Sequence, residues 1–172
     1  LGGGVPDKRL VDATFDRFRE LLFCYYEQNP PIALPGVVEA FEKLSAQGVK
    51  IALTTGFSRD VASVILPQLG WATGKGELLD AVVTADEVAA GRPAPYMIHR
   101  VMELTGIRDV RKVIAAGDTV NDLQAAKNAG VIAVGVLTGE LGRADLEVHE
   151  HDVILDGVAQ LPQFISQLEV KA

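Results

Sequence analysis

Three stretches of this 172-residue chain carry side chains suited to holding an anion and a cation side by side. In Ala52-Leu53-Thr54-Thr55-Gly56-Phe57-Ser58, an apolar run ends in two hydroxyls and a glycine. A hydroxyl and an unhindered backbone N–H at a strand end, with a helix N-terminus behind them, are the parts of a phosphate cradle. The same residues also suit a Thr/Gly turn in which Ser58 caps the next helix, and the segment alone does not separate the two readings. In Gly91-Arg92-Pro93-Ala94-Pro95, Arg92 stands between a flexible glycine and a stiff Pro-Ala-Pro stretch. A guanidinium held this way can pair bidentately with phosphate oxygens, although an ordinary surface-loop arginine has similar neighbours. In Gly117-Asp118-Thr119-Val120-Asn121-Asp122, Asp118 closes an apolar run and Asp122 falls on the first turn of the following helix. Two carboxylates at one strand end suit magnesium, which keeps several waters and takes one or two protein carboxylates. Thr119 and Asp122 also have the spacing of a capping box, and an acid in a first turn complements the helix dipole without any metal. Capping alone does not explain hydroxyl, cation and paired acids arranged in turn at strand and loop ends.

The elements that must position these residues can be read from apolar periodicity. Val11, Phe15, Phe18, Leu22 and Tyr25 recur every three or four residues, which predicts an amphipathic helix over 7–28. Asn29-Pro30-Pro31 ends it, because a residue before proline is pushed out of the helical region. From Pro35-Gly36 onward, helices alternate with short apolar strands. Helices are expected at 37–47, stopped by Gly48, and at 59–69, 95–104, 120–129 and 158–168. Strands are expected at 49–54, 81–84, 112–116, 132–137 and 152–155. Continuous apolar strands alternating with helices imply an α/β fold, a Rossmann-like parallel sheet flanked by helices on both faces. Ligands in such sheets collect at the C-terminal strand ends, where all three polar stretches fall.

Composition narrows the partners. A net charge of −7 argues against nucleic acid or an anionic membrane as the main partner, since both need dense cationic surface. It leaves room for a small anionic substrate with magnesium supplying local positive charge. No apolar run approaches the ~18 residues that span a bilayer. The first residues resemble no signal peptide, and the single cysteine, Cys24, allows no internal disulfide; a cytoplasmic location is expected. Cys24 lies beside the apolar stripe and reads as a small buried hydrophobe. His99 falls on a helix surface, His149 and His151 in a solvated loop, and Trp71 where it can pack a helix end.

On these three stretches the chain resembles the haloacid dehalogenase superfamily, and within it the phosphonatase-like hydrolases. The resemblance runs from about Pro35 to the C-terminus. It implies that Thr55 and Gly56 bind the transferring phosphoryl group through a hydroxyl and a backbone N–H. Most relatives carry lysine where Arg92 stands; arginine followed by Pro-Ala-Pro-Tyr-Met is similar to the phosphonatase pattern. Arg92 would orient the nucleophile and the phosphoryl group. Asp118 would be a magnesium ligand, and Asp122 a supporting acid near the same ion. The cofactor implied is Mg2+, and the substrate a small phosphate ester or phosphonate. A homodimer through the helical cap is a further expectation.

The departure from the family is equally plain. Its members open with an apolar strand ending in Asp-x-Asp/Ala-Gly-Thr, whose first aspartate is the nucleophile. The nearest match, Val153-Ile154-Leu155-Asp156-Gly157, lacks the second acid and the threonine and reads as an edge strand and turn. Residues 1–31 resemble part of the inserted helical cap, and 32–172 a core without its first strand. Lys8 does not fall at the cap motif that supplies the Schiff-base lysine. The absent strand would lie centrally, between 49–54 and 112–116, so its loss would leave both without a shared neighbour. The chain is therefore expected to be part of a longer enzyme and to show no turnover by itself. A non-catalytic phosphoryl- or partner-binding protein is the alternative of a different class. A receiver-like domain fits less well, because it has no place for Gly91-Arg92-Pro93 or the first helix.

Overall fold

The computed structural model describes residues 7–169. Helix α1 (Lys8–Gln28) starts at Asp7, whose carboxylate accepts from the Arg9 N–H at 3.0 Å, and ends as Asn29 precedes the proline pair. The chain then alternates: α2 (Val37–Ala46), β1 (Ala52–Thr55), α3 (Arg59–Gln68), β2 (Ala81–Thr84), α4 (Tyr96–Thr105), β3 (Ile114–Gly117), α5 (Val120–Ala129), β4 (Ile132–Val136), α6 (Arg143–Glu147), β5 (Val153–Leu155) and α7 (Leu161–Glu169). Single 3-10 turns precede α4, β3 and α7. Gly48 stops α2 as expected: it takes left-handed geometry at φ +81°, and the Val49 N–H returns to the Leu44 carbonyl at 3.0 Å.

Every strand pairing is parallel, yet the strands form two sheets rather than one. β1 pairs with β2, with Thr55 opposite Thr84, while the order β3-β4-β5 makes the second sheet, with Gly117 opposite Gly135. One apolar cluster nevertheless joins them: Phe41, Leu44, Ile51, Leu79 and Val82 pack with Val134, Val136 and Leu161. Burial follows the pairing. Ala81–Thr84 is wholly buried and Ala133, Val134, Gly135 and Val136 likewise, whereas all four residues of β1 are only half-buried and Ala116 of β3 is exposed. β1 and β3, which fall in the runs expected at 49–54 and 112–116, lie in different sheets.

Helix α1 departs from expectation. Val11, Phe15, Phe18 and Tyr25 of the anticipated apolar stripe are exposed, and no residue of α1 is buried. The half-buried face is instead Arg19, Leu22, Phe23 and Tyr26, and Arg19 reaches Asp60 of α3 at 3.1 Å. Cys24, read as buried, is exposed, because its position lies off that face. Trp71 packs against Phe41 with ring centroids 5.8 Å apart, and no helix of the described residues is long and apolar enough to cross a membrane.

Candidate active site

The C-terminal ends of β1 and β3 carry the polar residues. At the end of β1, the Thr55 hydroxyl oxygen accepts from the Phe57 N–H at 3.1 Å, which closes the turn. That leaves the Thr55 hydroxyl proton free to donate to a ligand. Gly56 is exposed at the tip. Ser58 stands at the N-cap of α3 in extended geometry, but its side chain caps nothing; the hydroxyl donates to Asp60. Cap acceptance comes from Asp86, which takes the Arg59 N–H at 3.0 and 3.2 Å.

Arg92 enters from the loop before α4. The Ala94 N–H donates to the Gly91 carbonyl at 3.0 Å, and the Asn128 side-chain amide of α5 donates to the Pro93 carbonyl at 2.8 Å. The Arg92–Pro93 peptide is cis. Held this way, Arg92 forms a charge-assisted hydrogen bond through Nη1 to Asp122 Oδ1, and a methyl group built on Gly56 would lie 3.6 Å from Nη2. One guanidinium therefore spans the turn after β1 and the helix after β3. The pair is largely screened from water, with side chains 29% and 10% exposed.

Asp122 is fully engaged. Its Oδ2 accepts from the Thr119 N–H at 3.0 Å and the Thr119 hydroxyl at 2.5 Å, while the Thr119 hydroxyl oxygen faces the Asp122 N–H at 3.3 Å. This is the capping box the spacing allowed, with Arg92 added. Gly117 makes it feasible, since a methyl group there would stand 2.7 Å from Asp122 Oδ2 and closer still to its carbons. Asp118 differs: half-buried, it has no hydrogen bond or ion pair among the described residues. Gly139, in the turn after β4, lies against it; a methyl group at 139 would meet Asp118 Cγ at 2.7 Å and Cβ at 2.9 Å. No apparent sequence signal pointed to Gly139, because its role is set by proximity across the fold.

The donor set fits a hydrated hard cation with one protein carboxylate, Asp118, rather than a cage. Among the described residues no three His, Cys, Asp or Glu side chains converge on a point. The histidines stay outside this cluster: His99 Nε2 lies 3.3 Å from the Ala129 carbonyl, and His151 Nδ1 lies 2.8 Å from the His149 carbonyl.

Parallel strands alternating with helices place the chain in the α/β class, and it belongs to the haloacid dehalogenase-like hydrolase family, whose model matches residues 6–130. Within that family it is similar to the phosphonoacetaldehyde hydrolase of Parabacteroides distasonis, at 34% identity over 94% of this chain and 69% of that one. The Bacillus cytotoxicus phosphonoacetaldehyde hydrolase is 33% identical, over 88% of this chain and 57% of its own length. The chain thus spans between about half and two thirds of these relatives. A phosphonoacetaldehyde hydrolase-like protein from Oleispira antarctica shares the fold with a TM-score of 0.82 and 22% identity, over 98% of this chain and 68% of that one.

Proposed function

We propose that these residues form the phosphoryl-binding half of a magnesium-dependent phosphohydrolase acting on a small phosphonate or phosphate ester. The observation that carries this reading is the single guanidinium of Arg92, which touches Asp122 and overlies Gly56, so that three separated motifs share one point. The Thr55 hydroxyl and Gly56 N–H donate to phosphoryl oxygens, and Arg92 neutralises their charge while Asp122 keeps its guanidinium from swinging out to solvent. Asp118 would hold magnesium, which when bound would supply Lewis-acid charge to the phosphoryl group. Phosphoryl-transfer catalysis is mostly such positioning and charge stabilisation. The attacking carboxylate, which would form and then lose an aspartyl-phosphate, belongs to a motif outside these 172 residues. Names of the relatives at 33–34% identity favour the phosphonate over the ester.

On this reading residues 1–31 belong to a helical cap and 32–172 to the catalytic core, in the cytoplasm, with a second copy meeting the uncovered face of α1. Sedimentation would test the dimer: Phe15→Ser with Phe18→Ser should abolish it. The function is tested by titrating inorganic phosphate with magnesium into the chain. Saturable binding lost in Arg92→Ala and Thr55→Val is the expected result, without turnover of p-nitrophenyl phosphate. A chain extended upstream by an in-frame strand ending Asp-x-Asp/Ala-Gly-Thr should release phosphate; binding with no turnover even then would favour the non-catalytic alternative.

A further inference from the structure

The turn that follows β2 contains a compact polar network for which the proposed chemistry has no direct use. Thr84, the last residue of β2, is fully buried and is the only buried polar residue among those described. Its hydroxyl donates to Asp86 Oδ1 at 2.6 Å and lies 3.0 Å from Glu87 Oε2, while its own N–H donates to Glu87 Oε2 at 2.8 Å. Two carboxylates thus converge on one hydroxyl, an arrangement that needs further donors to offset their repulsion. Arg59 supplies them from the other side. Its backbone N–H donates to both oxygens of Asp86, and its guanidinium binds Glu87 and donates to the Val82 carbonyl at 2.7 Å. The Thr84 hydroxyl beside Asp86 holds that carboxyl below its ordinary range, so the network is ionised at neutral pH.

Arg59 opens α3 directly behind the turn Thr55–Ser58, and the same network reaches into that turn. The Ala85 N–H donates to the Phe57 carbonyl at 3.1 Å. The Phe57 N–H, at the other end of that residue, donates to the Thr55 hydroxyl oxygen. Both backbone polar groups of Phe57 are therefore fixed, one by the β2 turn and one by the side chain meant to meet the phosphoryl group. Because the Thr55 oxygen already accepts from Phe57, the direction left for its proton follows from where residues 84–87 hold that turn. The strand pairing Thr55 to Thr84 puts the two turns at the same level of the sheet. Ser58, the local candidate for the cap, does not do this work, because its hydroxyl goes to Asp60.

We propose that Thr84, Asp86 and Arg59 are positioning residues that set the Thr55–Gly56 turn for phosphoryl binding without touching the ligand. The proposal rests on the reading of Thr55 and Gly56 given above, and two separate readouts keep the two apart. The first needs no ligand. Amide hydrogen exchange should speed up at Phe57 and Arg59 in Asp86→Asn and Thr84→Val, while Leu123 of α5 exchanges as before and Thr84→Ser restores protection. Unchanged exchange at Phe57 and Arg59 in Asp86→Asn would overturn the proposal. The second is binding of inorganic phosphate to the chain, followed by titration and by the Gly56 amide resonance. Asp86→Asn should weaken phosphate about tenfold with the fold retained, and Thr84→Ser should bind within about twofold of the parent. Phosphate affinity unaltered in Asp86→Asn, where Thr55→Val abolishes binding, would also overturn it. Exchange altered in the variants, with no phosphate bound by the parent chain, would instead sink the functional reading and leave a purely structural clamp, which again removes the positioning role.

Discussion

A carboxylate on the first turn of a helix can cap that helix, hold a cation or bind an arginine, and Asp122 combines the first and third of these. Both of its oxygens are occupied by Arg92 and Thr119, so Asp118 is the carboxylate with capacity left for an ion. Arg92→Ala should leave Asp122 without its cation and cost about 1–3 kcal/mol, read from urea denaturation, besides its effect on phosphate. Gly139 tests the other acid. Carbon atoms pack no closer than about 3.5 Å without cost, so Gly139→Ala must move Asp118 or the turn after β4. That turn is tied back by the Leu137 N–H, which donates to the Leu155 carbonyl at 3.1 Å. Manganese affinity, measured by electron paramagnetic resonance, should therefore fall about tenfold in Gly139→Ala while the circular dichroism spectrum is unchanged. The strand-end and first-turn positions of Thr55, Asp118 and Asp122 were legible in the sequence because those are local patterns, whereas the reach of Arg92 to Asp122 spans 30 positions. Gly139 and Asp86 were not, since each acts on a residue far along the chain, in the case of Asp86 one 27 positions away.

Elements were legible to the extent that their causes were local. Helix α5 begins and ends where its capping box and Gly130 put it, and Ala81–Thr84 likewise matches its apolar run. Thr119→Ala should remove the box and cost about 1 kcal/mol, visible as a lowered thermal midpoint. The strand expected from residue 112 starts instead at Ile114, because Asp109 accepts from the Arg111 N–H at 3.0 Å and winds Val110–Lys112 into a 3-10 turn. Helix α6, five residues long, is too short for its periodicity to show in sequence. The face of α1 was misread for a different reason. An apolar stripe states only that something can cover it, and the neighbour found here, α3, takes an adjacent face through Arg19 and Asp60.

Acid stability belongs to the whole molecule, because two of the shifted carboxylates, Asp86 and Asp152, join separate elements. Asp86 ties the β2 turn to α3, and its carboxyl is lowered mainly by the Thr84 hydroxyl. Asp152 joins β4 and α5. Burial pushes its carboxyl up, but the Lys127 ammonium at 2.8 Å and the Ala133 N–H at 2.7 Å outweigh that and hold it low. A carboxyl lowered on folding stabilises the native state above its unfolded pKa of about 3.9, and that stability is lost as pH falls through the lower folded value. Urea midpoints should therefore be flat from neutral pH down to about 5 and drop below about 4, with a smaller drop in Thr84→Val. The two-sheet arrangement has another consequence, in colloidal behaviour. Half-buried and paired on one side only among the described residues, β1 offers an edge to other molecules, and self-repulsion from the −7 charge opposes such stacking at neutral pH. At the isoelectric point, near pH 4.9, that repulsion vanishes while Asp86 and Asp152 are still ionised and the fold still intact. Light scattering should accordingly peak there, as native molecules join edge to edge before any of them unfold.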